Sequence, residues 1–470
     1  MRTNFPIASV GGLSTVEVAH LAGVHKDTLL RWLRAGLVPE PSRDRRGWRV
    51  FSKKEAKAVT RFAKQETRPP LRAVREAAPS YSHEAVAKLR EIDWDFASAV
   101  TDYLTHGLHP YPAKFIPQIP NALIQELSSV GDTVLDIFCG SGTTLAEALL
   151  LKRNAIGIDA NPLACLISRA KTLRLSEQDE TALRALEMKL DATLAPMASG
   201  QMPLPLFGAP TLIERPASSQ IDFWFESFVI EELALLKSLC RSLPTEPSRT
   251  LALTVLSSII VTVSRQDSDT RYVRRAKNIA SGDAVRRFKR ALGIAIQNAL
   301  KFSDATEPRF TCAVYQSDIL EAPHFAPADL MVCSPPYPNA FSYHLYHMTR
   351  MLWLDMDQPT FKRVEIGSHR KYSRKGAGAA TVETFRNELT RILRWLKGAL
   401  KPGKFACFVI GDSILQGRVI NNEKLLVETA RREGYRWEGS IQRRLQASKK
   451  SFNPAIGKIK HEHIVLLQNE

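Results

Sequence analysis

Residues Ala328 to Cys333 are a short apolar run that stops abruptly at Ser334-Pro335-Pro336-Tyr337. The run has the length and composition of a buried parallel strand, and two consecutive prolines forbid helix or further sheet pairing beyond it. The strand tip therefore carries a rigid loop with one hydroxyl, one carbonyl fixed by its proline ring and one aromatic face. That set is suited to gripping a planar base by its exocyclic amine.

A second constellation lies upstream. Thr133 to Asp136 is another strand-like run, followed by Ile137-Phe138-Cys139-Gly140-Ser141-Gly142-Thr143-Thr144 and a helical stretch to Leu151. Glycines at such a turn let the backbone approach a ligand and open the next helix. The Gly-x-Gly-x-x-Gly spacing of dinucleotide sites is missing, because no third glycine follows. Ala155 to Ile158 is a further strand ending in Asp159, whose carboxylate can accept ribose hydroxyls. Asp318 stands before the strand that leads to Ser334, in position to accept from an adenine amine. A lone strand-end Asp is more often a cap or turn residue; three in this order, with two glycines, point to a nucleoside-bearing cofactor.

These motifs resemble those of the S-adenosylmethionine-dependent amino-methyltransferases of DNA. Ser-Pro-Pro-Tyr is the form usual in enzymes acting on cytosine N4, and Asp136-x-Phe138-x-Gly140-x-Gly142 looks like their cofactor loop. His109-Pro110-Tyr111-Pro112-Ala113-Lys114-Phe115 is similar to the segment that covers the methionine end of the cofactor. The resemblance implies S-adenosyl-L-methionine held by Tyr111, Lys114, Phe115, Asp136, Phe138, Gly140, Gly142, Thr143, Asp159 and Asp318. Ser334, Pro335, Pro336 and Tyr337 would be catalytic. It also implies a restriction-modification or defence role and a cognate restriction endonuclease. Adenine N6 is the neighbouring alternative, RNA a further one, and a catalytically inactive DNA-binding regulator the rival from another class. A C5-cytosine mechanism needs a thiolate, usually in Pro-Cys, and none of the six cysteines follows a proline.

The elements that must position these residues follow from pattern. Strands alternating with helices predict an α/β fold, a doubly wound Rossmann-like methyltransferase sheet. A long interval between Asp159 and Asp318 repeats apolar residues at helical spacing and reads as a helical insertion over about 175–305. Within it, Ser264 to Arg275 is an arginine-rich connection suited to phosphate and base contact; Ser368 to Gly376 is a second basic loop of that kind. Later strands are expected over Phe405–Ile410, preceded by a turn at Lys401–Lys404, and over His463–Leu467.

Ahead of this, Ser14 or Thr15 can cap a helix to Leu21, Gly23 breaks it, and a second helix runs from about Lys26 to Gly36. A basic turn and Arg49-Val50-Phe51-Ser52 follow. The segment looks like the winged helix-turn-helix head of MerR-type regulators, without their long dimerising coiled coil. The resemblance assigns DNA contacts to Lys26, Thr28, Arg31, Arg45, Arg46 and Arg49. The expected organisation is thus a small N-terminal domain over 1–64, a linker over 65–93 and a methyltransferase domain over 94–470.

Composition agrees with a polyanion partner. Lys+Arg number 65 against Asp+Glu 48, a formal charge of +17 over 470 residues, which favours double-stranded DNA through counterion release. The scattered cysteines, with no Cys-x-x-Cys pair and no His/Cys ligand spacing, argue against a disulfide frame and against zinc. No apolar stretch reaches membrane-spanning length and the start lacks an apolar signal core, so the expected location is the cytoplasm.

Overall fold

A computed structural model describes residues 13–24, 29–30, 32–33, 36–43, 49–66, 83–114, 116–198, 215–216, 218, 220–338, 341–373, 379–415, 417–444 and 461–470. The chain divides into two compact units, Met1–Ala77 with Phe96–Tyr103, and Ala78–Asp95 with Leu104–Glu470.

In the smaller unit, Ser14 caps the helix Thr15–Leu21, and Glu17 closes a reciprocal capping box with it. Gly23 then takes φ +68°, the left-handed geometry that ends the helix. Strand Arg49–Phe51 pairs antiparallel with Leu13–Ser14 on one side and Ser42–Arg43 on the other. The core joins Val18, Leu29, Trp32, Leu33, Phe51 and Val59, the last from helix Lys53–Glu66.

The larger unit is built on a seven-stranded sheet. Its strands are β1 (Thr133–Asp136), β2 (Asn154–Asp159), β3 (Cys312–Gln316), β4 (Ala328–Cys333), β5 (Leu400–Gly411), β6 (Tyr435–Arg444) and β7 (His461–Asn469). The spatial order is β6-β7-β5-β4-β1-β2-β3. The β3-β2-β1-β4-β5 block is parallel, and β7 runs antiparallel between β5 and β6. β4 is buried at every residue, as expected of a strand covered on both faces.

Helices cover the sheet: α1 (His83–Arg90), α2 (Gln118–Leu127), α3 (Thr143–Leu150), α4 (Pro162–Thr172), α9 (Val382–Ala399) and α10 (Asn422–Arg432). In α9, Thr381 caps the first turn, and Phe385, Leu389, Ile392, Leu393 and Leu396 fall on one face that buries into the main core. The insertion is a separate layer of α5 (Glu177–Ala198), α6 (Ser227–Arg241), α7 (Glu246–Ile260) and α8 (Asp283–Ala305), with its own core of Leu186, Leu233, Leu256, Phe288 and Trp353.

Two local expectations change. The arginine-rich connection after α7 is a β-hairpin, Gln266–Ser268 with Arg271–Arg274, because Asp269 and Thr270 form a tight turn between two short polar strands. The Lys401–Lys404 turn is absorbed into β5 as an irregularity, with Gly403 at φ +76°. After the loop, two short helices, Tyr343–Tyr346 and Met348–Trp353, flank His347. β6, alternating and strongly charged, was not legible as a strand. α1 lies within the stretch read as linker. No helix among the described residues is long and apolar enough to cross a membrane.

Candidate active site

β1 and β4 are neighbours, with Leu135 beside Met331, yet their following connections leave toward opposite halves of the sheet. That reversal opens a crevice at the carboxyl ends of the two strands. Asp136 ends β1 there, and Ser334-Pro335-Pro336-Tyr337 follows the last residue of β4.

The turn after β1 is shaped by its two glycines. Gly142, at φ +73°, caps α3, and a Cβ on it would stand 2.9 Å from Ser168 Cα. Gly140, at φ +49°, would place a Cβ 3.5 Å from the Tyr111 ring. Ser168 Oγ donates to the Gly140 carbonyl at 2.8 Å. Thr143 is buried as the first residue of α3, and Thr144 Oγ1 donates to the Val332 carbonyl at 3.4 Å, tying the turn to β4. Phe138 packs on the main core at the turn's edge.

Both strand-end acids are costly to ionise here. Asp136 is buried and accepts from the Phe138 N–H at 3.1 Å. Burial pushes its carboxyl up to about 7, against the opposing hydrogen bonds from Thr144 and Phe138. Asp159 accepts from the Gly140 N–H at 2.9 Å and the Asn161 N–H at 2.8 Å. Burial still raises it to about 6. Each Asp159 oxygen retains a lone pair beyond these bonds, so the side chain both shapes the turn and can accept a ligand hydroxyl. Asp318 caps the turn Ile319–Glu321 through Leu320 N at 3.0 Å. The adjacent Ser317 N–H bonds the Asp159 carbonyl at 3.0 Å, which places Asp318 beside the second acid.

An aromatic wall joins the two halves. The Tyr111 ring stacks on His347 (5.1 Å between centroids) and Tyr343 (5.7 Å), and Asn161 Nδ2 donates to its hydroxyl at 3.4 Å. Burial raises the pKa of both tyrosines, and the Asp159 charge adds to it at each. Glu365 fastens Tyr343: its carboxylate accepts from Tyr343 N at 2.6 Å and meets His344 Nδ1 at 2.5 Å, with both side chains buried. Gly367, at φ +71°, lies under the proline loop, where a Cβ would stand 2.9 Å from the Tyr337 carbonyl oxygen. The Tyr337 ring packs on the main core, toward Asp412 and Glu462. Lys114 is exposed and donates to the His106 carbonyl at 2.8 Å. His106 itself pairs with Glu147 at 2.7 Å and His109 meets Ser257 Oγ at 3.0 Å, which accounts for both histidines as structural.

One end of the sheet thus gathers Tyr111, Asp136, Phe138, Gly140, Gly142, Thr143, Asp159, Asp318 and Ser334 to Tyr337. Phe115 lies outside the described residues, as do Lys26, Thr28, Arg31, Arg45 and Arg46. Arg49 is described, and its Nε pairs with Glu40 at 2.7 Å. Sequence reasoning missed Asn161, Ser168, His347, Glu365 and Gly367. Only Asn161 carried a signal, since Asn before Pro after a strand is a helix start.

Residues 47–169 match the DNA methylase family and residues 14–51 the MerR family of regulatory proteins. The Type II methyltransferase M.MvaI of Kocuria varians is 26% identical over 280 residues, 56% of this chain and 60% of that protein. M.MjaII of Methanocaldococcus jannaschii is 41% identical over 86 residues, 17% of this chain and 16% of that one. The chain therefore matches less than two thirds of the length of these relatives. TrmN from Thermus thermophilus superposes with a TM-score of 0.29 at 10% identity, over 76% of this chain and 49% of that one, too loosely to add to the strand order. Part of the chain thus matches the DNA methylase family and is similar to Type II methyltransferases, and its N-terminal segment matches the MerR family.

Proposed function

We propose that this chain transfers the methyl group of S-adenosyl-L-methionine to the exocyclic N4 amine of cytosine in double-stranded DNA, in a restriction-modification or defence setting beside a cognate endonuclease. The observation that carries this reading is the Ser334–Tyr337 loop beside the Asp136–Gly142 turn where the strand order reverses. The residues present fit the cofactor: Asp136 and Asp159 are acceptors for an amine or for hydroxyls, and the glycine turn leaves Tyr111 free of any Cβ above Gly140. When bound, the cofactor supplies a methyl carbon made electrophilic by its sulfonium.

The chain's own residues do the rest. The N4 lone pair is delocalised into the ring, which makes the amine a poor nucleophile. Ser334 Oγ and the Pro335 carbonyl accept its two hydrogens and favour a pyramidal nitrogen with a localised lone pair. The surplus proton leaves along the hydrogen bond to Ser334 Oγ and passes to water. A base turned out of the duplex loses stacking worth a few kcal/mol, and the Tyr337, Tyr343 and Tyr111 rings replace part of it. Positioning, with no covalent intermediate, is the main source of rate. The MerR-family segment is an accessory DNA reader, with Arg49 and its basic neighbours toward phosphates.

The test is expression in a methylation-free bacterial host with single-molecule sequencing of its DNA, and Ser334→Ala as control. N4-methylcytosine at one short motif, lost in the variant, supports the reading. N6-methyladenine would keep the mechanism and overturn the base. No DNA mark from a protein that binds the cofactor would overturn the DNA substrate.

A further inference from the structure

The hairpin Gln266–Ser268/Arg271–Arg274 has a buried root and an exposed tip. At the root, Gln266 is fully buried; its Nε2 donates to the Ser268 carbonyl at 3.0 Å and the Tyr346 carbonyl at 3.2 Å. Thr349 Oγ1 donates to Gln266 Oε1 at 2.8 Å. Arg350, also fully buried, donates from Nε to the Ser257 carbonyl at 2.9 Å and pairs with Asp269 in the hairpin turn. An isolated two-stranded ribbon is marginal in water, and burying an arginine is expensive unless it is well paired. The root therefore holds the tip in one place.

The tip is made for a polyanion with bases. All four residues Arg271 to Arg274 are exposed, Tyr272 at 37% and Val273 at 59%. Asp267 holds Arg271 at 3.4 Å and Arg275 at 3.2 Å, and the Arg274 guanidinium rests 4.7 Å over the Phe223 ring. From the second basic loop, the Arg370 guanidinium lies 5.9 Å from the Tyr272 ring. Arg370 of the second basic loop and the hairpin that sequence also offered for phosphate and base contact thus meet at Tyr272. Aromatic rings run without a break from it to the candidate site: Tyr272 to Tyr346 (6.0 Å), Tyr346 to Phe341 (5.9 Å), Phe341 to Tyr343 (5.7 Å), and on to Tyr111.

We propose that this hairpin grips the DNA strand bearing the target: Arg271, Arg274 and Arg370 hold phosphates, and Tyr272 stacks on the base beside the one turned out. The inference rests on the DNA-methylating reading above and names the part of the catalytic domain that meets the strand. Guanidinium groups flanking an exposed ring are the combination that binds a nucleic-acid strand with little sequence preference.

The test uses the full chain, unmethylated plasmid for turnover and a short duplex of arbitrary sequence for affinity. Arg271→Ala with Arg274→Ala is expected to lower the slope of log affinity against log salt by nearly two, about 0.9 per phosphate contact. Tyr272→Ala is expected to raise KM for plasmid about tenfold, while Tyr272→Phe stays within about twofold, because stacking needs the ring and not the hydroxyl. Cofactor affinity and the melting temperature should stay at wild-type values, since the root is untouched. An unchanged salt slope and unchanged duplex affinity would overturn the proposal and point to a protein partner instead. Failure of the methyl-transfer reading is separately visible as a wild-type protein that transfers no methyl, and the duplex series still reads the hairpin in that case.

Discussion

The two halves of the candidate site are built differently. On the cofactor side, Asp136, Gly140, Gly142 and Asp159 come from two adjacent strands and one turn, and they are held mostly by backbone hydrogen bonds. On the base side, Ser334 to Tyr337 are backed by Gly367, and Glu365 ties the nearby Tyr343, so the parts span residues 334 to 367. The first half is a local motif that needs only its strands. The second is a packing arrangement that exists only when distant segments are docked. Substitutions should therefore separate cofactor binding from turnover.

Two glycines give the sharpest separation. Both have left-handed φ and a neighbour 2.9 Å from the missing Cβ, so alanine must displace something at each. Gly367→Ala pushes on the Tyr337 carbonyl and is expected to lower kcat on the order of 100-fold while cofactor affinity stays. Gly142→Ala pushes on Ser168 and is expected to weaken cofactor binding by a similar factor. Steady-state kinetics beside calorimetric titration tests both; a matching loss in each quantity for both variants would erase the comparison.

Glu365 tests whether the base-side wall is structural. Its carboxylate satisfies Tyr343 N and His344 Nδ1 in a buried place, so Glu365→Ala leaves both without that partner and is expected to cost about 1–3 kcal/mol of stability. Denaturant unfolding checks this. Because the Glu365 charge also reaches Asp159 and helps to raise it, this base-side change is also felt across the crevice.

The cofactor side should instead respond to pH. Burial holds Asp136 at about 7 and Asp159 at about 6, above the ordinary carboxylate range. Between about pH 4 and 7 the folded protein then binds more protons than the unfolded chain, so the stability tied to these groups is full at low pH and falls as pH rises through that window. A ligand that needs the ionised carboxylates should bind about tenfold more weakly at pH 6 than at pH 8, and Asp136→Asn should flatten most of that dependence. A flat wild-type profile would mean that the acids are already ionised without ligand.

The smallest effect belongs outside both halves. Arg49 pairs with Glu40 while both are partly exposed, so Arg49→Ala should change the unfolding free energy by at most about 1 kcal/mol. Any larger loss would have to appear in DNA affinity, which a salt titration reads.

The chemistry of the strand ends was open to inspection in the chain itself. Two apolar runs stop at Asp136 and at Ser334, and glycine or proline then dictates the turn, because those residues restrict or release φ whatever surrounds them. The helix cap at Ser14 is legible for the same reason, since its partner lies within one helical turn. Residues whose roles depend on what packs against them were not. Gly367 looks like any loop glycine until the Tyr337 carbonyl lies 2.9 Å from its absent Cβ. Glu365 looks like a surface acid until His344 and Tyr343 close over it. The hairpin and Arg370 are about a hundred residues apart in the chain, and only the fold lays Arg370 against Tyr272. Backbone restriction is a property of a residue and its neighbours in the chain; burial, charge pairing and ring stacking are properties of whatever the fold brings alongside.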